Sequence, residues 1–327
     1  DPRSKVWTLS VGEKQRVEIL KILYRGANIL ILDEPTAVLT PTETDSLFKA
    51  IRKYTSEGCS VIFISHKLDE VMEISDRVTI LRKGKKVNTF ITKEINKKIL
   101  AREMVGRDVL LDIKKPDVEI GEEVLKVENL SVKNDKGLMA VKNLSLSIRK
   151  GEILGIAGVS GNGQKELSEA IYGLRKVENG EIIFCNKNIT HNGIKRNIIQ
   201  GISFIPQDRK GVATSPNLSV RENIFEKTFA KGHVYSPLNI RNKEMKIEAD
   251  KIIKEYSIST PNSETVIKLL SGGNIQKVIL ARELSLNPEL IIASHPTRGL
   301  DIGAMNYIYN TLLEEKKKGH SILLLAG

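Results

Sequence analysis

The sequence predicts an α/β fold of mainly parallel sheet, built twice in tandem, and three observations carry this reading. First, Leu9-Ser10-Val11-Gly12-Glu13-Lys14-Gln15-Arg16 returns as Leu270-Ser271-Gly272-Gly273-Asn274-Ile275-Gln276-Lys277, and each copy is followed by an apolar run ending in Pro-Thr. Ser10 and Ser271, Pro35 and Pro296, and Gly58 and Gly319 are each separated by 261 residues, the mark of an internal duplication. Second, short apolar runs bounded by Gly and Pro alternate with helix-start patterns. Third, one such run enters a glycine-rich loop, Gly158-Val159-Ser160-Gly161-Asn162-Gly163, that opens onto a helical pattern.

Asn28 to Leu32 lies between Gly26 and Pro35 and reads as a buried strand ending in the acidic pair Asp33-Glu34. Thr40-Pro41-Thr42-Glu43 then supplies an N-cap Thr, a Pro at the first helical position and a Glu at the third, so a helix opens there and Gly58 closes it. Ser60 to Ile64 follows as a second buried strand, with Ser65-His66 at its carboxyl end, where ligands of open α/β sheets bind. Strand, helix and strand in this order make a parallel unit. Val78 to Phe90 reads as a hairpin turning near Gly84, and a polar helix leads on to Met104-Val105-Gly106-Arg107. Residues 113–122 read as a linker. After it, Val124 to Val132 and Val141 to Ile148 alternate as antiparallel strands. Glu152 to Ala157 is an apolar strand running into the Gly158–Gly163 loop, and a helix from Gln164 to Gly173 completes a strand-loop-helix unit.

The 327 residues suffice for two domains, and 40% hydrophobic with 28% charged residues is ordinary globular composition. No apolar run approaches the ~18 residues that a membrane-spanning helix needs, and no secretory leader pattern is present. Cys59 and Cys185 are isolated, which excludes a disulfide framework and cysteine-based metal spacing. The net charge of +11 sits in short lysine clusters that read as solvated faces. An anionic cytoplasmic leaflet or a nucleic acid would also suit it. The counterpart of Gly163 at the same separation falls at position −98, so a first phosphate loop is expected before Asp1 and the chain reads as a piece of a longer protein.

A glycine-rich loop between strand and helix lets backbone N–H groups surround phosphate oxygens, and the helix N-terminus adds partial positive charge. Alone it is equally a tight structural turn. Asp33-Glu34 alone could be a solvated turn, and His66 alone a structural histidine. It is their combination with the repeated Leu-Ser-x-Gly element that favours phosphate chemistry.

Together these residues resemble the ATP-binding-cassette (ABC) ATPases, specifically the tandem energy subunits of bacterial simple-sugar and nucleoside importers. The resemblance covers essentially the whole chain and includes Met104-Val105-Gly106-Arg107, Pro206-Gln207-Asp208-Arg209 and Pro296-Thr297-Arg298-Gly299-Leu300-Asp301-Ile302-Gly303-Ala304. It implies a P-loop NTPase fold with two nucleotide-binding domains, each with a mainly parallel core sheet, an antiparallel β subdomain and a helical subdomain. Residues 1–112 would be the C-terminal part of the first, 113–122 the linker and 123–327 the second.

In this family two ATPs are sandwiched between domains, each capped by the other domain's Leu-Ser-Gly-Gly element. The resemblance implies that Asp33 holds Mg²⁺, Glu34 activates the attacking water and His66 contacts the γ-phosphate, with Ser271, Gly272, Gly273 and Asp301 completing that site. Gly158, Gly161, Gly163, Gln164, Lys165 and Gln207 would line the other, capped by Ser10 and Gly12. The 261-residue pairing then shows which site is competent: Asp33 faces Ser294, Glu34 faces His295 and His66 faces Gly327. Where the family pattern has Lys then Ser/Thr after Gly163, this chain has Gln164 then Lys165, and one residue on a helix turns a side chain ~100°. Val11 stands in place of a glycine and Thr40 in place of Asp301. The intact parts converge on one site and the defective parts on the other.

The resemblance further implies integral-membrane permease subunits, an extracytoplasmic substrate-binding lipoprotein reached through the permease, no nucleic acid, and a place on the cytoplasmic face of the cell membrane. Gly161-Asn162-Gly163-Gln164 and the Pro296–Ala304 run are more similar to nucleoside importers than to simple-sugar importers, which remain the alternative. Two other classes stay open: a soluble tandem ABC protein acting on ribosomes or DNA, and a regulatory nucleotide sensor.

Overall fold

The computed structural model describes residues 3, 5–6, 11–24, 26–36, 39–82, 84–106, 115–158, 161–228 and 242–326. The chain divides into two units, Asp1–Asp112 with Asp301–Gly303, and Ile113–Leu300 with Ala304–Gly327.

In the first unit, helix α1 (Val11–Tyr24) precedes strand β1 (Ile29–Asp33), helix α2 (Pro41–Ser56) and strand β2 (Ser60–Ile64), which pairs parallel to β1 from Ile29↔Ser60 to Asp33↔Ile64. Thr40 caps α2 in a capping box with Glu43, as its sequence predicts. Helix α3 (Leu68–Ile74) follows, then the antiparallel hairpin of β3 (Arg77–Arg82) and β4 (Lys85–Ile91) around Gly84, and helix α4 (Lys97–Val105), ended by Gly106 in the left-handed conformation. Leu30, Leu32, Leu47, Phe48 and Ile51 form this unit's core, with Ile19, Ile22, Val61 and Phe63 packed against it.

In the second unit, β5 (Glu123–Lys133) and β6 (Met139–Arg149) pair antiparallel, and β7 (Ile153–Ala157) leads through the glycine loop to α5 (Gln164–Tyr172). Next come β8 (Asn179–Phe184), β9 (Lys187–Asn188), α6 (Ile194–Gln200) and β10 (Ile202–Ile205). Helices α7 (Val220–Phe225), α8 (Asn242–Glu255) and α9 (Gly272–Leu284) lead to β11 (Leu290–Ser294), α10 (Ile302–Lys317) and β12 (Ser321–Ala326). A parallel sheet runs β10-β11-β12-β7 and an antiparallel sheet β6-β5-β8-β9. The segment expected as a linker lies partly against this unit: Lys316 donates to the Pro116 carbonyl at 3.2 Å, and the Gly121 N–H to Lys150 O at 3.0 Å.

The duplication persists in the backbone. Displaced by 261 residues, β1 falls on β11 and α2 on α10, end for end, and Ile29↔Ser60 becomes Leu290↔Ser321. Left-handed Gly26, Glu34 and Gly58 fall on left-handed Asn287, His295 and Gly319.

Burial differs between the halves. The second unit's parallel sheet has a core on each face. Ile291, Ala293 and Ile322 pack with α7, α8 and α9, while Leu290, Ile292, Leu323 and Leu325 pack with α5 and the antiparallel sheet. The counterparts of that last group, Ile29, Ile31, Ile62 and Ile64, are 47–62% exposed. The expectation of two fully buried strands is therefore corrected: β1 and β2 are buried on one face, because among the described residues no strand-loop-helix unit covers the other.

Glu283 on α9 is fully buried, accepting from the Phe204 N–H at 3.1 Å, Lys227 at 2.6 Å and Arg282 at 3.0 Å. Burial alone would raise its carboxyl. Lys227 and Arg282 outweigh that and hold it below the ordinary carboxylate range. The helix that starts beside Ser271 is thus locked to the strand that precedes Gln207.

The unequal burial gives a paired prediction. Ile292→Ala should cost about 2–5 kcal/mol of stability in denaturant unfolding, and its counterpart Ile31→Ala under about 1 kcal/mol; equal costs would contradict the bare face.

Candidate functional site

In the first unit the chain leaves β1 at Glu34 with φ 45°, a conformation a non-glycine residue adopts only when its surroundings impose it. What imposes it is the Glu34 N–H, which donates to the Ile64 carbonyl of β2 at 2.9 Å. The bend aims the carboxylate at the end of β2. Its Oε1 accepts from the His66 backbone N–H at 3.2 Å and lies 2.8 Å from His66 Nδ1. A carboxylate accepts only, so Nδ1 carries the proton in this contact. Oε2 is buried with no hydrogen-bond partner. An orphaned buried carboxylate oxygen is costly unless something else occupies its lone pairs in the working state.

Behind this pair, Thr36 Oγ1 donates to Glu70 Oε2 at 2.5 Å, and Lys67 Nζ bridges Glu70 Oε1 at 2.8 Å and the Thr36 carbonyl at 3.1 Å. The turns after β1 and β2 are thereby clamped together. Glu70 was not singled out from the sequence; a carboxylate one turn beyond the Ser65-His66 pair was the available clue. Asp33, next to Glu34, is exposed. Among the described residues no group of three or more His, Cys, Asp and Glu forms a metal cage. Mg²⁺ needs none: it is held by one or two carboxylates together with water and phosphate oxygens, and Asp33 supplies such a carboxylate.

In the second unit the glycine loop follows β7 and is pinned by the Gly158 N–H to Ala326 O at 3.2 Å. Gly163 caps α5 at φ 97°, and a Cβ there would fall 2.6 Å from the Ala140 carbonyl, so only glycine fits. Gln164 is buried, and its amide Nε2 lies 2.6 Å from where a Cβ on Gly158 would stand. Lys165 is turned away, 3.2 Å from Asp135 and 3.8 Å from Glu169, and does not take the place of the absent loop lysine.

At the end of β11, Ser294 is buried and uncharged. His295 repeats the Glu34 corner, with φ 44° and its N–H on Leu325 O at 2.8 Å. Burial, then the nearby Arg298, pushes its imidazole below the ordinary histidine range, so it is neutral near pH 7. Without a carboxylate at either position, this corner offers neither the Mg²⁺ ligand nor the carboxylate base that Asp33 and Glu34 present in the first unit.

Ser271 caps α9, its Oγ accepting from the Asn274 N–H at 3.4 Å, with the Asn274 amide at 3.0 Å. Gly272 and Gly273 begin that helix, and a Cβ on Gly272 would stand 3.4 Å from Arg209 Nη1. Gly161 is left-handed in the glycine loop. Asp301 directly precedes α10, as Thr40 precedes α2. Gly12 lies in α1, while Ser10, Arg107 and Gly327 lie outside the described residues.

The second unit thus gathers the loop helix, Gln207, Gly272 and Ser294 around a cleft of about 650 Å³ at the carboxyl ends of β10 and β11. Arg209 and Arg298 also line it. Sequence reasoning quoted both arginines within motifs and gave neither a role. Gly163→Ala should lower stability by about 1–3 kcal/mol, read as a reduced melting temperature; an unchanged melt would refute the tight corner.

A family profile described as ABC transporter matches residues 1–37 and 141–298. The chain is 44% identical to a glucose import ATP-binding protein of Haloferax volcanii, over 100% of this chain and 60% of that protein. It is 46% identical to a guanosine import ATP-binding protein of Bacillus subtilis, over 99% and 64%. With a ribose import ATP-binding protein of Clostridium perfringens the identity is 42%, over 100% and 64%. The chain thus spans less than two thirds of the length of these relatives. Among solved structures, a nucleotide-free ATP-binding cassette from an ABC transporter superposes with TM-score 0.53 at 30% identity, covering 63% of this chain and 81% of that one. A dimeric post-hydrolysis cassette bound to ADP and Pi gives 0.54 at 26%, covering 62% and 87%. The glycine loop, the acidic strand end, the parallel sheet and these matches agree: the chain belongs to the ABC transporter family and has the ABC ATPase cassette fold.

Proposed function

We propose that the chain is the larger part of a tandem ATP-binding subunit that hydrolyses ATP to drive an importer, with one hydrolytic and one non-hydrolytic site. The observation that carries this reading is the repeated left-handed corner, occupied by Glu34 in one half and His295 in the other. Glu34 would orient and deprotonate water, a role supported by His66 on one of its oxygens and the absence of a hydrogen-bond partner on the other. Asp33 would hold Mg²⁺, whose charge offsets that developing on the phosphates. The second site, with Gln164, Ser294 and His295, would hold a ligand without cleaving it.

The subunit would work at the cytoplasmic face of the membrane on separate permease subunits, supplied by an extracytoplasmic binding protein. No helix among the described residues is long and apolar enough to cross a membrane, which suits a division of labour with a permease. Our leading substrate class is nucleosides, on the Gly161–Gln164 and Pro296–Ala304 runs. Named relatives importing guanosine, glucose and ribose stand at 46%, 44% and 42% identity, so simple sugars remain the second reading.

In the complete subunit bound to its permease, Glu34→Gln should reduce ATP turnover ~10²–10⁴-fold while nucleotide still binds; undiminished turnover would refute the assignment. The 327-residue chain by itself should hydrolyse ATP negligibly, and Glu34-dependent turnover by it would contradict the need for a first phosphate loop. Uptake of labelled nucleosides and labelled pentoses by a deletion strain separates the two substrate classes, since only the transported class should be lost.

A further inference from the structure

We propose that the cleft of the second unit is a metal-free polyphosphate site, in which the guanidinium groups of Arg209 and Arg298 grip the anion in place of a loop lysine and Mg²⁺. The inference rests on the reading of this site as non-hydrolytic and names what it holds.

Six charged side chains line the cleft: Lys165, Glu169, Asp208, Arg209, Lys210 and Arg298. The two carboxylates are already engaged. Arg175 holds Glu169 at 2.6 Å, and Asp208 Oδ1 accepts from the N–H groups of Lys210 and Gly211 at 3.1 and 2.9 Å, closing its own turn. Lys165 is spent on Asp135 and Glu169. Among the described residues neither Arg209 nor Arg298 pairs with a carboxylate. Burial and the Arg298 charge both press Arg209 below the usual guanidinium range. Two guanidinium groups that line one cleft without carboxylate partners form an arrangement that an anion stabilises. The planar fork of each matches two phosphate oxygens at once.

The same residues exclude the metal. Ser294 and His295 stand where the first unit has Asp33 and Glu34, the cleft's two carboxylates are already engaged, and Arg209, Lys210 and Arg298 repel a divalent cation. The fully charged, unchelated phosphate chain is therefore the better ligand. Free polyphosphate and the tail of a nucleotide both present the same oxygens to the arginines.

The test is calorimetric titration of the 327-residue chain in EDTA with inorganic triphosphate and, separately, with ATP. Saturable binding is expected, weakened at least 10-fold by Arg298→Gln and by Arg209→Gln, less by Arg209→Lys, and changed under 2-fold by Lys187→Ala, an exposed β9 residue that does not line the cleft. Excess Mg²⁺ should weaken it at least 10-fold. ATP binding at least 10-fold tighter than triphosphate identifies a nucleotide as the occupant, and equal affinity identifies polyphosphate; either result supports the site. Arg298 is exposed, so Arg298→Gln decides the matter even if Arg209→Gln fails to fold. No saturable binding, binding indifferent to Arg298→Gln, or binding that requires Mg²⁺ overturns the proposal. None of these outcomes bears on Glu34-dependent turnover, so the two readings fail separately.

Discussion

The chemistry of both halves depends on one backbone hydrogen bond. A residue leaving the central strand donates its N–H to the last turn of the neighbouring strand, Glu34 to Ile64 and His295 to Leu325, at 2.9 and 2.8 Å. Closing that bond forces a positive φ on a residue with a Cβ, and the side chain is thereby aimed past the carboxyl ends of the sheet, where the glycine loops and switch-point ligands of α/β folds lie. The scaffold is indifferent to which side chain it aims. The same strain is maintained for a carboxylate in one half and for a neutral imidazole in the other, so at this corner the halves differ in side-chain chemistry.

Much of this was legible in the sequence because duplication turns one chain into its own comparison. The boundaries of α2 followed from Thr40, Pro41 and Glu43, and the hairpin around Gly84 from alternation. What the sequence did not convey was one-sided burial. Ile29-Leu30-Ile31-Leu32 is apolar at every position, and such a run is compatible with burial on two faces or one. Only the neighbours decide, and Leu290 and Ile292 show what those neighbours are when present. The clamp of Thr36, Lys67 and Glu70 was equally hidden, since residues 31 and 34 positions apart meet only through the pairing of β1 with β2.

The glycine loop shows where local reasoning held. A lysine displaced by one position turns to another face of its helix, and Lys165 points to Asp135 and Glu169. The burial of Gln164 against Gly158 was not legible, because Gln is ordinarily a surface residue. An amide there keeps donor capacity near the loop without the charge of an ammonium, so the loop keeps its shape while losing its electrostatic attraction for a triphosphate.

The arginines give that loss a physical counterpart. A phosphate site without a loop lysine or a metal keeps its backbone N–H groups and its helix N-terminus, and any further positive charge strengthens it. The cleft of the second unit places Arg209 at the end of β10 and Arg298 beyond β11, and leaves both without a carboxylate among the described residues. Positive charge thus lines this cleft although Gln164, Ser294 and His295 contribute none.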